Sequence, residues 1–346
     1  MHPFFESIGA KYPLIQAPMA GAQDEELAIA VSQSGGIGSI PCAGLTPERL
    51  KASADRFHKA TSGPVNLNFF CHKVVERDPQ REAIWLRELA PFYDAHALTP
   101  DYPKTGFSRA LDEEMVKVVC TLNPAIASFH FGLPKTEYLD RIRTSGAKII
   151  ATATTIKEAL FLEEQGCDAV IAQGREAGGH QGAFLASENP LRQSTMDLVH
   201  QISSAVVIPV IAAGGIADIV SIRAAIDAGA SGVQIGTRFL KSPEARITPL
   251  HRSFLEGNED LDTEITNVFT GRPARGFVNK LVRELGPINP NVQTFPLAIS
   301  ALAPLKSATA GTADFTSLWA GQNWKTGDAK PAKQIVKQLS TAFDLS

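Results

Sequence analysis

One histidine set in a run of glycines is where this sequence could do chemistry. The run is Ala172-Gln173-Gly174-Arg175-Glu176-Ala177-Gly178-Gly179-His180-Gln181-Gly182, with four glycines in the nine residues 174–182. Without side chains, the main chain there can approach a ligand closely. The apolar stretch 168–172 just before it is strand-like in length. A strand that ends in such a loop builds sites; the plainer alternative is a Gly178-Gly179 turn that leaves His180 on the surface. A second histidine, His130, lies in Ser128-Phe129-His130-Phe131-Gly132-Leu133-Pro134. An imidazole in so apolar a setting is by default a hydrogen-bonded core residue, and it becomes a pocket residue if it shares a rim with His180. No carboxylate cluster accompanies the two histidines, so no metal site is expected. A Gly-x-Ser-x-Gly elbow and a paired acid/base carboxylate set are also missing. Side chains alone look poorly equipped for a difficult step, which favours a cofactor.

Two further pieces point to a phosphorylated cofactor or substrate. Val210-Ile211-Ala212-Ala213-Gly214-Gly215-Ile216 and Gly232-Val233-Gln234-Ile235-Gly236-Thr237 each follow an apolar run with bare amides, the second adding a hydroxyl. Such groups bind phosphate. A dinucleotide fingerprint fails, because Gly36-Ile37-Gly38 runs into its strand and lacks the third glycine. Gly271-Arg272-Pro273-Ala274-Arg275-Gly276 is not a phosphate-binding P-loop.

The elements that must position these residues follow from periodicity. Eight strand-like runs fall at 14–17, 36–40, 65–70, 126–131, 148–152, 169–172, 210–213 and 232–235, and helical stretches at 25–34, 47–60, 136–145, 156–165 and 219–228 fit between them. Gly35, Gly146, Gly166 and Gly229 stand where helices end before the next strand. This spacing predicts an α/β chain folded as a (β/α)8 TIM barrel, in preference to a doubly wound sheet. The catalytic rim is then the C-terminal ends of the strands, and the two glycine pieces follow strands seven and eight, where barrels commonly bind phosphate.

We expect a barrel domain over 1–245, interrupted by an insertion at about 71–123. Within the insertion helices are expected near 79–90 and 112–121, with Pro91, Pro100 and Pro103 breaking the chain between them. It could shape a substrate entrance or be a structural excursion. Residues 246–346 are expected to form a mainly helical C-terminal extension packed on the barrel.

Composition is ordinary for a soluble globular protein. At 346 residues the chain can bury a sizeable core, and a net charge of -3 gives no reason to propose nucleic acid or an anionic membrane as partner. Cys42, Cys71, Cys120 and Cys167 are scattered, without metal-binding spacing, and read as reduced thiols. No export or membrane-spanning signal is visible, so a cytoplasmic location is expected.

Gln16-Ala17-Pro18-Met19-Ala20-Gly21, Ser128–Pro134, Ala172-Gln173-Gly174 with Glu176-Ala177-Gly178-Gly179-His180, and Ala212-Ala213-Gly214-Gly215-Ile216 together resemble the nitronate monooxygenase family, once called 2-nitropropane dioxygenases. The resemblance covers about 11–240, with an echo at Leu318-Trp319-Ala320-Gly321-Gln322. It implies a barrel that holds non-covalent FMN and oxidises alkyl nitronates such as propionate 3-nitronate with O2, as a monomer or homodimer. Carried over residue by residue, it implies Met19 and Ala20 along the flavin ring and Asn68, Gln173 and Gln234 hydrogen-bonded to the flavin. Gly178, Gly215, Gly236 and Thr237 would hold its phosphate, His180 would be the catalytic histidine and His130 a second, substrate-binding one. The chain departs from the family pattern at Ala22-Gln23-Asp24 in the first loop and at Gln181, where an arginine is frequent; this removes a possible anion contact. Two alternatives stay open: an FMN- and NADH-dependent enoyl-acyl-carrier-protein reductase with the same glycine loop, and a non-catalytic flavin-binding protein.

Overall fold

The computed structural model describes residues 2–73, 75–101, 110–185, 193–257 and 260–344. Its strands, in chain order, are β1 (Leu14–Gln16), β2 (Gly38–Pro41), β3 (Val65–Phe70), β4 (Ile126–His130), β5 (Lys148–Ala153), β6 (Ala169–Gln173), β7 (Gly179–His180), β8 (Val210–Ala213), β9 (Gly232–Ile235), β10 (Thr263–Thr266) and β11 (Ala274–Phe277). All the strands except β7, β10 and β11 run parallel in the order β1-β9-β8-β6-β5-β4-β3-β2. A bridge between Ile15 and Ile37 joins the two ends, with Ile37 N donating to Leu14 O at 2.8 Å. The ring is the expected (β/α)8 barrel, and each of its strands lies within a residue or two of its predicted place.

The alternation of side chains explains why only one mouth of the barrel is available for chemistry. Outward residues such as Leu67, Ala127, Ile149, Val170, Ala212 and Val233 are buried beneath the surrounding helices. Inward residues change along the strands. Near the N-terminal mouth Ile15, Ile37, Ile126, Ile150 and Ile211 pack with Phe4 and Phe5 of the first helix, Pro3–Ser7. Gly232 lets Phe5 approach so closely that a Cβ there would meet its ring at 2.4 Å. That mouth is plugged with hydrocarbon. Further up the same inward rows stand Asn68, His130, Thr152, Gln173 and Gln234, which line a cavity instead.

The expected helices form at Glu25–Gln33, Pro47–Ala60, Thr136–Thr144, Ile156–Glu164 and Ile219–Asp227. Gly35, Gly146, Gly166 and Gly229 follow at or near their ends with φ between 77° and 107°, the left-handed conformation that costs glycine least. The helix Thr195–Ser203 between β6 and β8 was not expected. After β9 only a short helix, Thr237–Leu240, forms. The position outside β9 and β1 is filled from the far end of the chain, by Ala332–Ser340, whose Ile335, Val336 and Leu339 join the core beneath the helices.

Pro91 does not break its helix, which runs Pro79–Ala95. Trp85, Leu89, Phe92 and Tyr93 are buried against Leu302, Leu305 and Phe315 of the C-terminal segment. Burying four large side chains is worth roughly 6–12 kcal/mol, more than the ~3 kcal/mol cost of an interior proline. Trp85 Nε1 and Tyr93 Oη also donate to the carbonyls of Ala298 and Ala301, at 3.2 and 2.7 Å. Pro103 lies outside the described residues. Beyond 246 the chain also contributes β10 and β11, an antiparallel pair onto which β7 docks. Among the described residues no helix is long and apolar enough to cross a membrane.

Candidate active site

The C-terminal mouth of the barrel opens into a cavity of about 450 Å³, a volume suited to a cofactor-sized ligand. All eleven residues expected at the site line it: Met19, Ala20, Asn68, His130, Gln173, Gly178, His180, Gly215, Gln234, Gly236 and Thr237. Their detailed positions sort them into three groups.

The first group fixes the histidine loop. Gly179–His180, expected as loop, is a strand because β11 supplies a partner: Ala274 pairs with His180 and Arg275 with Gly179. Gln173 grips this loop with both ends of its amide, Nε2 donating to His180 O at 3.0 Å and Oε1 accepting from Gly182 N at 2.7 Å. His130 does the same from β4. Its Nε2 lies 3.2 Å from His180 O, and because a carbonyl only accepts, that nitrogen carries the proton; Nδ1 then accepts from Thr152 Oγ1 at 3.1 Å. Glu158 anchors the following residues, accepting from the amides of Phe184 and Leu185 and from the amide and hydroxyl of Thr154.

The second group is the environment of the His180 ring. Nε2 sits 2.9 Å from Thr270 Oγ1, and Nδ1 has no hydrogen-bond partner among the described residues. Rings of Phe70, Phe131, Phe295 and Trp319 stand 5.3–6.3 Å from it. Phe131 holds its place with φ 70°, a left-handed conformation unusual for a bulky residue. Burial, with the Arg272 guanidinium and the competing ionisation of His130 and His72 nearby, pushes the His180 pKa down to about 3. Burial likewise takes His130 to about 4. Both imidazoles are neutral at physiological pH.

That has a consequence for stability. Above about pH 7.5 neither folded nor unfolded histidine is appreciably protonated, and these residues contribute no slope. Below it the unfolded chain takes up protons that the folded chain refuses until near pH 4 and 3, so stability falls as pH drops through this window. The urea midpoint should decline from pH 6.5 to 5, and His130→Asn should flatten that decline; an equal slope in the variant contradicts the assignment.

The third group is a glycine cradle. Gly214 and Gly215 turn with φ 116° and 67°. The tail residues 320–323 close over it: Gly321 N donates to Thr237 Oγ1 at 2.9 Å, Gln322 N to Glu176 O at 2.9 Å and Asn323 Nδ2 to Gly215 O at 2.6 Å. Because Thr237 Oγ1 accepts there, its proton is available to a ligand. Gln234 Oε1 is buried without a partner among the described residues. A buried acceptor left unpaired is costly, so the site is built for a donor that arrives with a ligand.

The first loop is organised by its departures from the family pattern. Gln23 Oε1 accepts from Met19 N at 3.0 Å, its Nε2 donates to Ser39 O at 2.6 Å, and Asp24 caps the helix Glu25–Gln33. Met19 and Ala20 are thereby held at the cavity. Thr270, Phe70, Phe295 and Asn323 were not anticipated; Trp319 and Gly321 fell within the echo at 318–322.

A family model described as nitronate monooxygenase matches residues 2–342. A nitronate monooxygenase of Pseudomonas aeruginosa is 35% identical over 341 residues, covering 97% of each chain. Among solved structures, a nitroalkane oxidase from Streptomyces ansochromogenes superposes with TM-score 0.87 at 33% identity, covering 98% of both chains. FabK from Thermotoga maritima fits more loosely, with TM-score 0.73 at 26% identity, covering 99% of this chain and 96% of that one.

Proposed function

This chain belongs to the nitronate monooxygenase family, and from that premise we propose that it oxidises alkyl nitronates, propionate 3-nitronate among them, with O2 and bound FMN, giving carbonyl compounds and nitrite or nitrate. The observation that carries the reading is the convergence of eleven residues from separate βα loops on one cavity that pairs an unmatched Gln234 acceptor with a glycine cradle.

These residues fit FMN. Met19 and Ala20 would lie along its ring, Asn68 and Gln234 would hydrogen-bond it, and Gly178, Gly215, Gly236 and Thr237 would hold its phosphate. Gln173 holds the histidine loop with both ends of its amide, and its second N–H would be free to hydrogen-bond the flavin. When bound, FMN supplies electron-accepting chemistry that no side chain here has, between the nitronate and O2.

The protein's own part is to bind and orient an anion. The Thr270 hydroxyl has one proton, and His180 Nε2 at 2.9 Å is a better acceptor for it than Arg272 O at 3.3 Å. With Thr270 as the donor to Nε2, His180 carries its proton on Nδ1 and would offer it to the nitronate oxygens as a neutral donor. His130, whose nitrogens are both engaged, gives the substrate a ring wall and steadies the His180 main chain. The surrounding phenylalanine and tryptophan rings keep water away from the reacting carbon.

Oxygen uptake on adding propionate 3-nitronate to the FMN-loaded protein tests the reading, with nitrite or nitrate formed alongside. No uptake, together with rapid bleaching of the flavin by NADH under anaerobic conditions, would move the assignment to the reductase alternative.

A further inference from the structure

Arg272 is an unusual residue to find behind the histidine loop. Its guanidinium lies 4.2 Å above the Phe131 ring centroid and 5.7 Å from that of Phe295, and Nη1 donates to Ala183 O at 3.2 Å. No carboxylate lies within ion-pair distance among the described residues. The acidic group whose field reaches it, Glu158, already accepts four hydrogen bonds from the loop. Removing a guanidinium from water without an ion-pair partner is costly.

The two rings that carry Arg272 are the same ones that pack against His180 and Phe70. Phe131 and Phe295 stand 5.9 and 5.3 Å from the His180 ring, and 5.0 and 6.5 Å from Phe70 of the cavity wall. Its main chain is tied in as well, since Arg272 N donates to the Thr270 hydroxyl that meets His180 Nε2. The other titratable groups nearby, His72, His130 and His180, are all held neutral by burial. Among the described residues the charges around this cluster are then Arg272 and Glu158, and it is the field of Arg272 that is felt at His180, while that of Glu158 is felt at Arg272.

We propose that Arg272 is a specificity-determining residue of the substrate site: a fixed positive charge, one aromatic ring behind the cavity wall, that favours the anionic nitronate over its neutral nitroalkane. The inference rests on the nitronate reading above. A charge held in a poorly screening, ring-lined setting acts across that distance, and an incoming anion offsets part of the cost of burying it. A neutral nitroalkane receives no such benefit. Arg272 acts by its field, and His180 remains the group that touches substrate.

The test uses the FMN-loaded protein with Arg272→Met, Arg272→Gln and Arg272→Lys. Nitrate, planar and singly negative like a nitronate head group, serves as a non-reacting probe, with its Kd read by calorimetry. We expect Arg272→Met and Arg272→Gln each to raise the nitrate Kd and the nitronate KM by about 10- to 30-fold, with kcat changed much less, and Arg272→Lys to restore most of both. The proposal is overturned if the neutral variants, still folded and flavin-loaded, keep the wild-type nitrate Kd. It is equally overturned if kcat falls with KM unchanged and lysine does not rescue, which marks a purely structural role. Because nitrate binding needs no turnover, a protein that binds nitrate through Arg272 but ignores nitronates would refute the functional reading separately.

Discussion

His180→Ala lowers kcat/KM for a preformed alkyl nitronate by about 10²–10³-fold, the usual cost of removing one hydrogen-bond donor aimed at developing or resident negative charge. His180→Asn loses only about ten-fold on the same substrate, because its amide nitrogen can take the place of Nδ1 as a neutral donor. The two variants separate donor from base. A general base on the α-carbon of a neutral nitroalkane contributes about 10²–10⁴-fold, and asparagine cannot supply it; so if His180 is mainly a base, asparagine and alanine will be equally poor on the nitroalkane. The structure favours the donor role for two reasons. Thr270 Oγ1 sits 2.9 Å from Nε2 and can donate to it, the arrangement that leaves the proton on Nδ1, and burial with Arg272 nearby opposes the imidazolium that proton abstraction would create. A Thr270→Val variant should therefore weaken nitronate turnover while leaving flavin content unchanged. Equal losses for His180→Ala and His180→Asn on the preformed nitronate would remove the donor argument.

The parts of this site that were legible in the sequence are those set by local pattern. The barrel strands are short apolar runs bounded by glycines, and a run of four to six residues such as 210–213 or 65–70 leaves little freedom in where its last inward residue falls. That is why Asn68 and Gln173 fall on the rim from pattern alone, whereas Gln234 was implied by the family resemblance. What they bond to was less legible. Gln173 also bonds the backbone of residues 180 and 182, a choice made by the loop's path and invisible in spacing. Thr270 lies 90 residues from its partner His180, in a polar stretch without periodicity. β10 and β11 escaped notice because strand 274–277 contains Arg275, which is buried only because its guanidinium reaches the carbonyls of Arg175 and Thr263, at 2.8 and 2.7 Å. Pro91 misled for the same reason: a local penalty of known size was exceeded by burial that depends on chain more than 200 residues away.

Gly178→Ala should weaken FMN binding by about 100-fold or more while leaving riboflavin binding much less affected. A Cβ at Gly178 would lie 2.6 Å from Gly321 N, 2.7 Å from Ala320 C and 3.1 Å from Thr237 Oγ1. Two of these are main-chain atoms of the tail that closes the cradle, so no side-chain rotation relieves the overlap. The tail must lift, breaking the Gly321–Thr237 and Gln322–Glu176 hydrogen bonds. Losing two or three donors that face a phosphate, at about 1–3 kcal/mol each for charge-assisted bonds, gives the expected loss of affinity. Gly179→Ala is the matched control. Its neighbour space is open, and the cost there comes from φ 73°, about 1–2 kcal/mol of stability, so unfolding becomes easier while the preference for FMN over riboflavin persists. Quenching of flavin fluorescence on titration of apoprotein gives both dissociation constants without recourse to turnover. If Gly178→Ala keeps the wild-type ratio of riboflavin to FMN dissociation constants, the phosphate does not sit among Gly178, Gly215 and Thr237, and the orientation proposed for the whole cofactor must be reversed. If the ratio collapses while Gly179→Ala retains it, the main chain at 178 and the tail at 321 act as one clamp, and the C-terminal segment becomes part of the cofactor site.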